Sequence, residues 1–342
     1  MTENEDILVN VRNGVGILTL NRPKAINSLN EGMVAGMAAA LDAWEHDENV
    51  HTVLLTGAGE RGLCAGGDVV ALYHSAKAGG ADARRFWYDE YRLNARIGSY
   101  PKPYVALMDG IVMGGGVGVA AHGSIRVVTD STKMAMPEVG IGFIPDVGGT
   151  YLLSRAPGAL GLHAALTGAP FSGADAIAMG FADHYVPHDS LAEFTEAVVN
   201  DGVEHALAAH AVEPPASPLL AQRDWIDTCY AGDTVADIVA ALRERDAGTD
   251  AANLISTRSP VSLAVALEAV RRAAKLDTLE EVLQQEYRTS CASVRSHDFV
   301  EGIRAQLVDK DRNPQWSPAS IAEVTQADVD AYFVPADPDL TF

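Results

Sequence analysis

Two carboxylates eight residues apart, Glu138 and Asp146, stand in MAMPEVGIGFIPDVGGT, residues 134–150. Each follows a proline, Pro137 or Pro145, which pins the backbone, and glycines follow each, which let another molecule come close. Upstream, Gly114-Gly115-Gly116 separates the apolar run Tyr104-Val105-Ala106-Leu107-Met108 from a small-residue segment that reads as a helix start. Unpaired N–H groups at such a start can hold a developing oxyanion, and a pair of carboxyl groups can move protons. Together they suit the chemistry of an activated acyl group, either hydrolysis or hydration.

Taken singly, each of these residues has a plainer reading. Glu138, in a segment that reads as a strand end, could be an edge charge, and Asp146 could be a turn-former before Gly148-Gly149. His122 reads as a general base or as a helix-end histidine, and Cys64 as a nucleophile or as a small buried hydrophobe. GAGERG at 57–62 matches the dinucleotide pattern G-x-G-x-x-G after the strand-like HTVLLT, but LCAGGD follows it where a helix should open, so no nicotinamide cofactor is expected. No G-x-S-x-G elbow, Walker A loop or H-E-x-x-H helix is present in the sequence.

Alternating β-rich and helical patterns from Val15 to about Pro187 predict stacked β and α layers. Strands are expected at 15–20, 52–56, 104–108, 125–129, 133–136 and 184–186. A helix is expected from Glu31 to Trp44, apolar on one face through Met33, Val34, Met37, Ala40, Leu41 and Trp44, with Asn30 as its N-cap. After Pro187 the chain turns to helical spacing, broken by Glu213-Pro214-Pro215 and resuming at 261–274 and 279–290.

With 342 residues and 48% hydrophobic content, the chain can bury one large core, or one core and a smaller appendage. No run approaches the roughly 18 apolar residues of a membrane span, and the polar, acidic start MTENEDILVN has no apolar leader pattern. Cytoplasmic residence is expected, and no membrane partner. Cys64, Cys229 and Cys291 are far apart and lack zinc or disulfide spacing, so unbridged thiols and no metal are expected. A net charge of −21 disfavours nucleic acid and anionic lipid as partners. It also means that an anionic ligand such as coenzyme A needs a local basic lining, which Arg22, Lys24, Arg61 and Lys102 could supply.

NRPKAINSLN at 21–30, CAGGDV at 64–69, MGGGVG at 113–118 and PEVGIGFIPDVGGT at 137–150 resemble the crotonase (enoyl-CoA hydratase/isomerase) superfamily. The resemblance implies an α/β fold, a crotonase-like spiral of ββα units over 1–188 with a helical C-terminal region over 189–342. It also implies assembly as a trimer or hexamer, as in many members. An acyl-CoA substrate follows from it, with no cofactor beyond the coenzyme A of the substrate. The N–H groups of Gly67 and Gly115 would form the oxyanion hole, and Arg22, Lys24, Ala65 and Asp68 would contact CoA.

Two departures point to a branch. Typical hydratases carry a glutamate three residues after the oxyanion glycine, where this chain has Gly118, and many have glycine where it has Asp146. That pattern resembles the 3-hydroxyisobutyryl-CoA hydrolases of valine breakdown. FWYDEYRLN at 86–94, KPYVALMDGIVMGGGVG at 102–118 and the segment from Glu286 to Trp316 agree with it. By this resemblance Glu138 and Asp146 are catalytic, and Glu90, Gly115, Glu138 and Asp146 touch the substrate. Glu90 would bind its hydroxyl, unless it is a plain helix-surface charge. The rivals are a hydratase or isomerase using Glu138 alone, and a non-catalytic acyl-CoA-binding protein.

Overall fold

Asn13-Gly14 is the tightest turn signal in the chain, and it joins β1 (Ile7–Arg12) to β2 (Val15–Leu20). Both residues have positive φ, 48° and 79°, and Arg12 pairs with Val15, as a two-residue hairpin requires. A computed structural model describes residues 5–342; the first four residues of the acidic start lie outside the described residues.

The chain continues through α1 (Glu31–Glu45), β3 (Thr52–Gly57), α2 (Val69–Lys77), α3 (Ala81–Gly98), β4 (Tyr104–Met108), β5 (Ile111–Met113) and α4 (Gly115–Ala120). Then follow β6 (Ile125–Val128), β7 (Lys133–Ala135), α5 (Gly149–Arg155), β8 (Phe171–Ser172) and β9 (His184–Tyr185). One sheet has the order β1-β2-β3-β4-β6-β9, antiparallel at β1/β2 and parallel elsewhere, and a smaller one has the order β5-β7-β8. Every residue of β4 is buried, as expected of a central parallel strand. Asn30 caps α1 by accepting from the Met33 N–H, and the face that it buries is the one expected from the apolar spacing. Beyond residue 188 the elements are helical, including Pro260–Ala273 and Leu279–Ser293.

The chain groups into two compact units that interleave along the sequence. The first takes the described residues up to Gly67, Leu93–Met134 and Phe171–Pro218; the second takes Asp68–Arg92, Ala135–Pro170 and Leu219–Phe342. The expected boundary at residue 188 falls inside Phe171–Pro218, which packs with the first unit. In that unit Val15, Leu54, Val105, Leu107 and Val127 pack with Phe194, Val198 and Val199 of the helix Leu191–Asp201. In the second unit Trp87 of α3 stacks on Phe143 at 5.3 Å, and Phe299 meets both rings edge-on.

Candidate active site

In the first unit the segment Cys64–Gly67 runs beside the start of α4. Cys64 bridges to Val112, the Met113 N–H donates to the Cys64 carbonyl at 2.9 Å, and Leu29 bridges to Gly67. A Cβ on Gly116 would lie 2.6 Å from the Cys64 carbonyl oxygen, so only glycine permits this approach. Gly115 opens α4 with Gly114 at φ 47°, and its N–H has no intrahelical acceptor. The two glycines expected to donate to an oxyanion thus lie on adjacent segments. Cys64 is buried, as its hydrophobic reading has it, and His122 lies in the turn past α4. No helix opens at GAGERG; the next one starts at Val69.

In the second unit five acidic side chains are buried: Asp298, which accepts from the Ser259 hydroxyl and the Ser317 N–H, and a group of four, Glu90 (2% exposed), Glu138 (6%), Asp146 (5%) and Glu286 (0%). Glu138 starts a 3-10 turn, Glu138–Ile141, rather than ending a strand, because β7 stops at Ala135 and Pro137 breaks the ladder. Its burial rules out the edge-charge reading, and the burial of Glu90 on α3 rules out a helix-surface charge. Asp146 does sit in a turn, with the Gly149 N–H donating to its carbonyl at 2.6 Å, but its side chain points inward.

Hydrogen bonding divides the four. The Tyr91 hydroxyl donates to Asp146 Oδ2 at 2.6 Å and lies 2.7 Å from Ser290 Oγ. Glu286 accepts from the Gly148 N–H at 2.6 Å and from the Thr150 N–H and hydroxyl at 2.9 and 2.5 Å. Glu90 Oε1 and Glu138 Oε2 are buried without a protein partner. Desolvation followed by the Asp146 charge pushes both glutamates well above the usual carboxylate range. Burial lifts Asp146 to about 7, against the Tyr91 bond that favours its anion, and lifts Glu286 to about 8, against its three donors. Both Glu286 oxygens accept N–H donors, which favours its anion and opposes the effect of burial.

The basic residues expected around coenzyme A divide as well. Arg22 donates to the Ser28 carbonyl and Arg61 to those of Pro23 and Lys24, so both brace the turn that carries the exposed Lys24. Lys102 is spent elsewhere, on the carbonyls of Trp44 and Asp47 at the end of α1. Ala65 donates its N–H to the Ile26 carbonyl, and Asp68 caps α2. Tyr91, Glu286 and Ser290 were not anticipated from the sequence. One signal existed: Glu286 follows Val282 and Leu283 at helical spacing, which places a carboxylate on the apolar face of Leu279–Ser293.

A family model described as enoyl-CoA hydratase/isomerase matches residues 15–333. The chain belongs to this family. Crotonase-family enzymes act on acyl-CoA substrates, and the α/β architecture is the crotonase fold that the motifs led us to expect. The chain is 40% identical to the 3-hydroxyisobutyryl-CoA hydrolase, mitochondrial, of Xenopus laevis, over 93% of this chain and 86% of that one. A crystal structure described as a carnitinyl-CoA dehydratase from Mycobacterium thermoresistibile is 76% identical, with a TM-score of 0.97 and 99% of each chain covered. One described as an enoyl-CoA hydratase from Rhodobacter sphaeroides 2.4.1 is 39% identical, with a TM-score of 0.94, covering 98% of this chain and all (100%) of that one. Among the described residues of this crotonase-family chain, no helix is long and apolar enough to cross a membrane, and no disulfide joins Cys64, Cys229 and Cys291.

Proposed function

We propose that the chain hydrolyses the thioester of a short hydroxyacyl-CoA, with 3-hydroxyisobutyryl-CoA of valine breakdown the first to try. The observation that carries this reading is the buried pair Glu138 and Asp146, together with the absence of a carboxyl group at Gly118, where a two-glutamate hydratase would have one. The Gly67 and Gly115 N–H groups polarise the carbonyl, each worth up to about 3–4 kcal/mol in the transition state. Glu138, through the unpartnered Oε2, drives attack on the carbonyl carbon, either by taking a proton from water or by forming a mixed anhydride that water then opens. The tetrahedral centre collapses, the C–S bond breaks, and the proton that Glu138 took from water, or one from solvent in the anhydride route, reaches the leaving thiolate by way of Asp146. Glu90 accepts from the acyl hydroxyl through Oε1. Coenzyme A is part of the substrate, and the scheme needs no other cofactor.

A second reading, dehydration of a 3-hydroxyacyl-CoA, is favoured by the 76% identity to the structure described as a carnitinyl-CoA dehydratase. There Glu138 would remove a proton beside the carbonyl, and a neighbouring carboxyl group would protonate the departing hydroxyl.

The deciding measurement is release of free thiol from (S)-3-hydroxyisobutyryl-CoA, beside crotonyl-CoA hydration and carnitinyl-CoA dehydration in the same preparation. Thiol release alone supports the hydrolase; water loss or gain without thiol release replaces it with the second reading. Glu138→Gln is expected to lower thiol release by about 10²–10⁴ while acyl-CoA still binds. Unchanged turnover removes Glu138 from the mechanism.

A further inference from the structure

Four buried carboxyl groups close together do not all ionise at one pH, so something has to decide which ionises first. Glu90 and Tyr91 reach Asp146 from α3, Glu138 from its 3-10 turn, and Glu286 from the helix Leu279–Ser293. Glu286 is occupied by the turn that follows Asp146. Of the other three, Asp146 receives an O–H donor, from Tyr91, whereas Glu90 Oε1 and Glu138 Oε2 have no protein partner among the described residues.

Ser290 can support the direction of that donor from the far side. Tyr91 has one proton, and Ser290 Oγ sits 2.7 Å from its oxygen. If Ser290 gives its proton to Tyr91, the phenol must give its own to Asp146. We infer that Tyr91, oriented by Ser290, is a positioning residue that makes Asp146 the first of the Glu90, Glu138 and Asp146 carboxyls to ionise, leaving Glu138 protonated in the resting enzyme. The raised ranges of the two glutamates agree with this order. Its catalytic meaning rests on the reading in which Glu138 and Asp146 work on the acyl group. Glu138 then becomes a base only after it has lost a proton beside an existing anion, which makes it a stronger one.

The test reads the free enzyme, so it stands apart from the outcome of the substrate assays. Aspartate and glutamate labelled at the side-chain carboxyl carbon are followed by NMR against pH, with the signals assigned by their loss in Asp146→Asn and Glu138→Gln. In the wild type Asp146 is expected to titrate below Glu138. Tyr91→Phe is expected to move Asp146 up by about one to two pH units, the worth of a hydrogen bond to a charged group. Ser290→Ala is expected to move it in the same direction by less, and it serves if the Tyr91 variant does not fold. Glu138 ionising before Asp146 in the wild type, or an unmoved Asp146 in a folded variant, overturns the inference. A wild type that titrates as expected yet releases no thiol overturns only the hydrolase.

Discussion

A carboxyl group held at about 7 by burial works against the fold that holds it. Asp146 keeps its proton in the folded chain between its ordinary value of 3.8 and about 7, whereas the unfolded chain has already released it. Folding therefore takes up a proton across that window. The stability that this gives is complete below the lower value and is lost as pH rises through the upper one. Roughly 3 pH units at about 1.4 kcal/mol each set a ceiling of about 4 kcal/mol on the loss. Asp146→Asn cannot ionise, so its melting temperature is expected to gain on the wild type steadily from pH 4 to 7 and to level off above. A difference that stays constant with pH would mean that Asp146 is not perturbed. Glu138 and Asp146 could be read from the sequence because their prolines and glycines are local. Tyr91 and Ser290 could not, because they meet 199 residues apart and nothing near either one signals the other.

The turn that carries Asp146 is held by another element more than by itself. Val147, a β-branched residue, has φ 55°, a conformation that costs about 1–3 kcal/mol and persists only where its surroundings enforce it. Glu286 does so by taking the N–H groups of Gly148 and Thr150 on either side of Gly149. Glu286→Ala leaves three buried donors without an acceptor, at about 1–3 kcal/mol each. A loss of about 3 kcal/mol or more in denaturant unfolding is expected, with partial recovery in Glu286→Gln; a loss under about 1 kcal/mol would show that the turn stands alone. The helix around Glu286 was legible from its apolar spacing, but the function of a charge on that face was not. Conversely, β1 was missed although its signal is local. Asn13-Gly14 between ILVNVR and VGILTL is a hairpin turn, but the strand before it carries Asn10 and Arg12 and buries only Ile7, so no apolar face marks it. The short strands β5 and β8, of three and two residues, are set by pairing with distant segments and have no pattern of their own.

For the whole molecule, a charge of −21 meets a ligand that is itself an anion. The cations expected to offset this are partly committed: Arg22 and Arg61 to backbone carbonyls of one turn, and Lys102 to the end of α1. Encounter with acyl-CoA is therefore opposed at long range, and screening should relieve the opposition. Raising ionic strength from about 10 to 150 mM is expected to increase kcat/KM for an acyl-CoA several-fold. A decrease would reveal a basic approach that outweighs the global field. The composition made this conflict visible from the start, while the two interleaved units were invisible in it, since their segments are joined by contact and not by sequence. That interleaving bears on how the protein is made. The clamp on the Asp146 turn comes from Glu286, 138 residues after Gly148, and the brace on Tyr91 comes from Ser290. During synthesis the carboxyl cluster therefore waits, its strained turn unsupported, until nearly the whole chain has left the ribosome. A prematurely ended product lacking the last helices would carry the four motifs between residues 21 and 150 and still have no assembled carboxyl cluster.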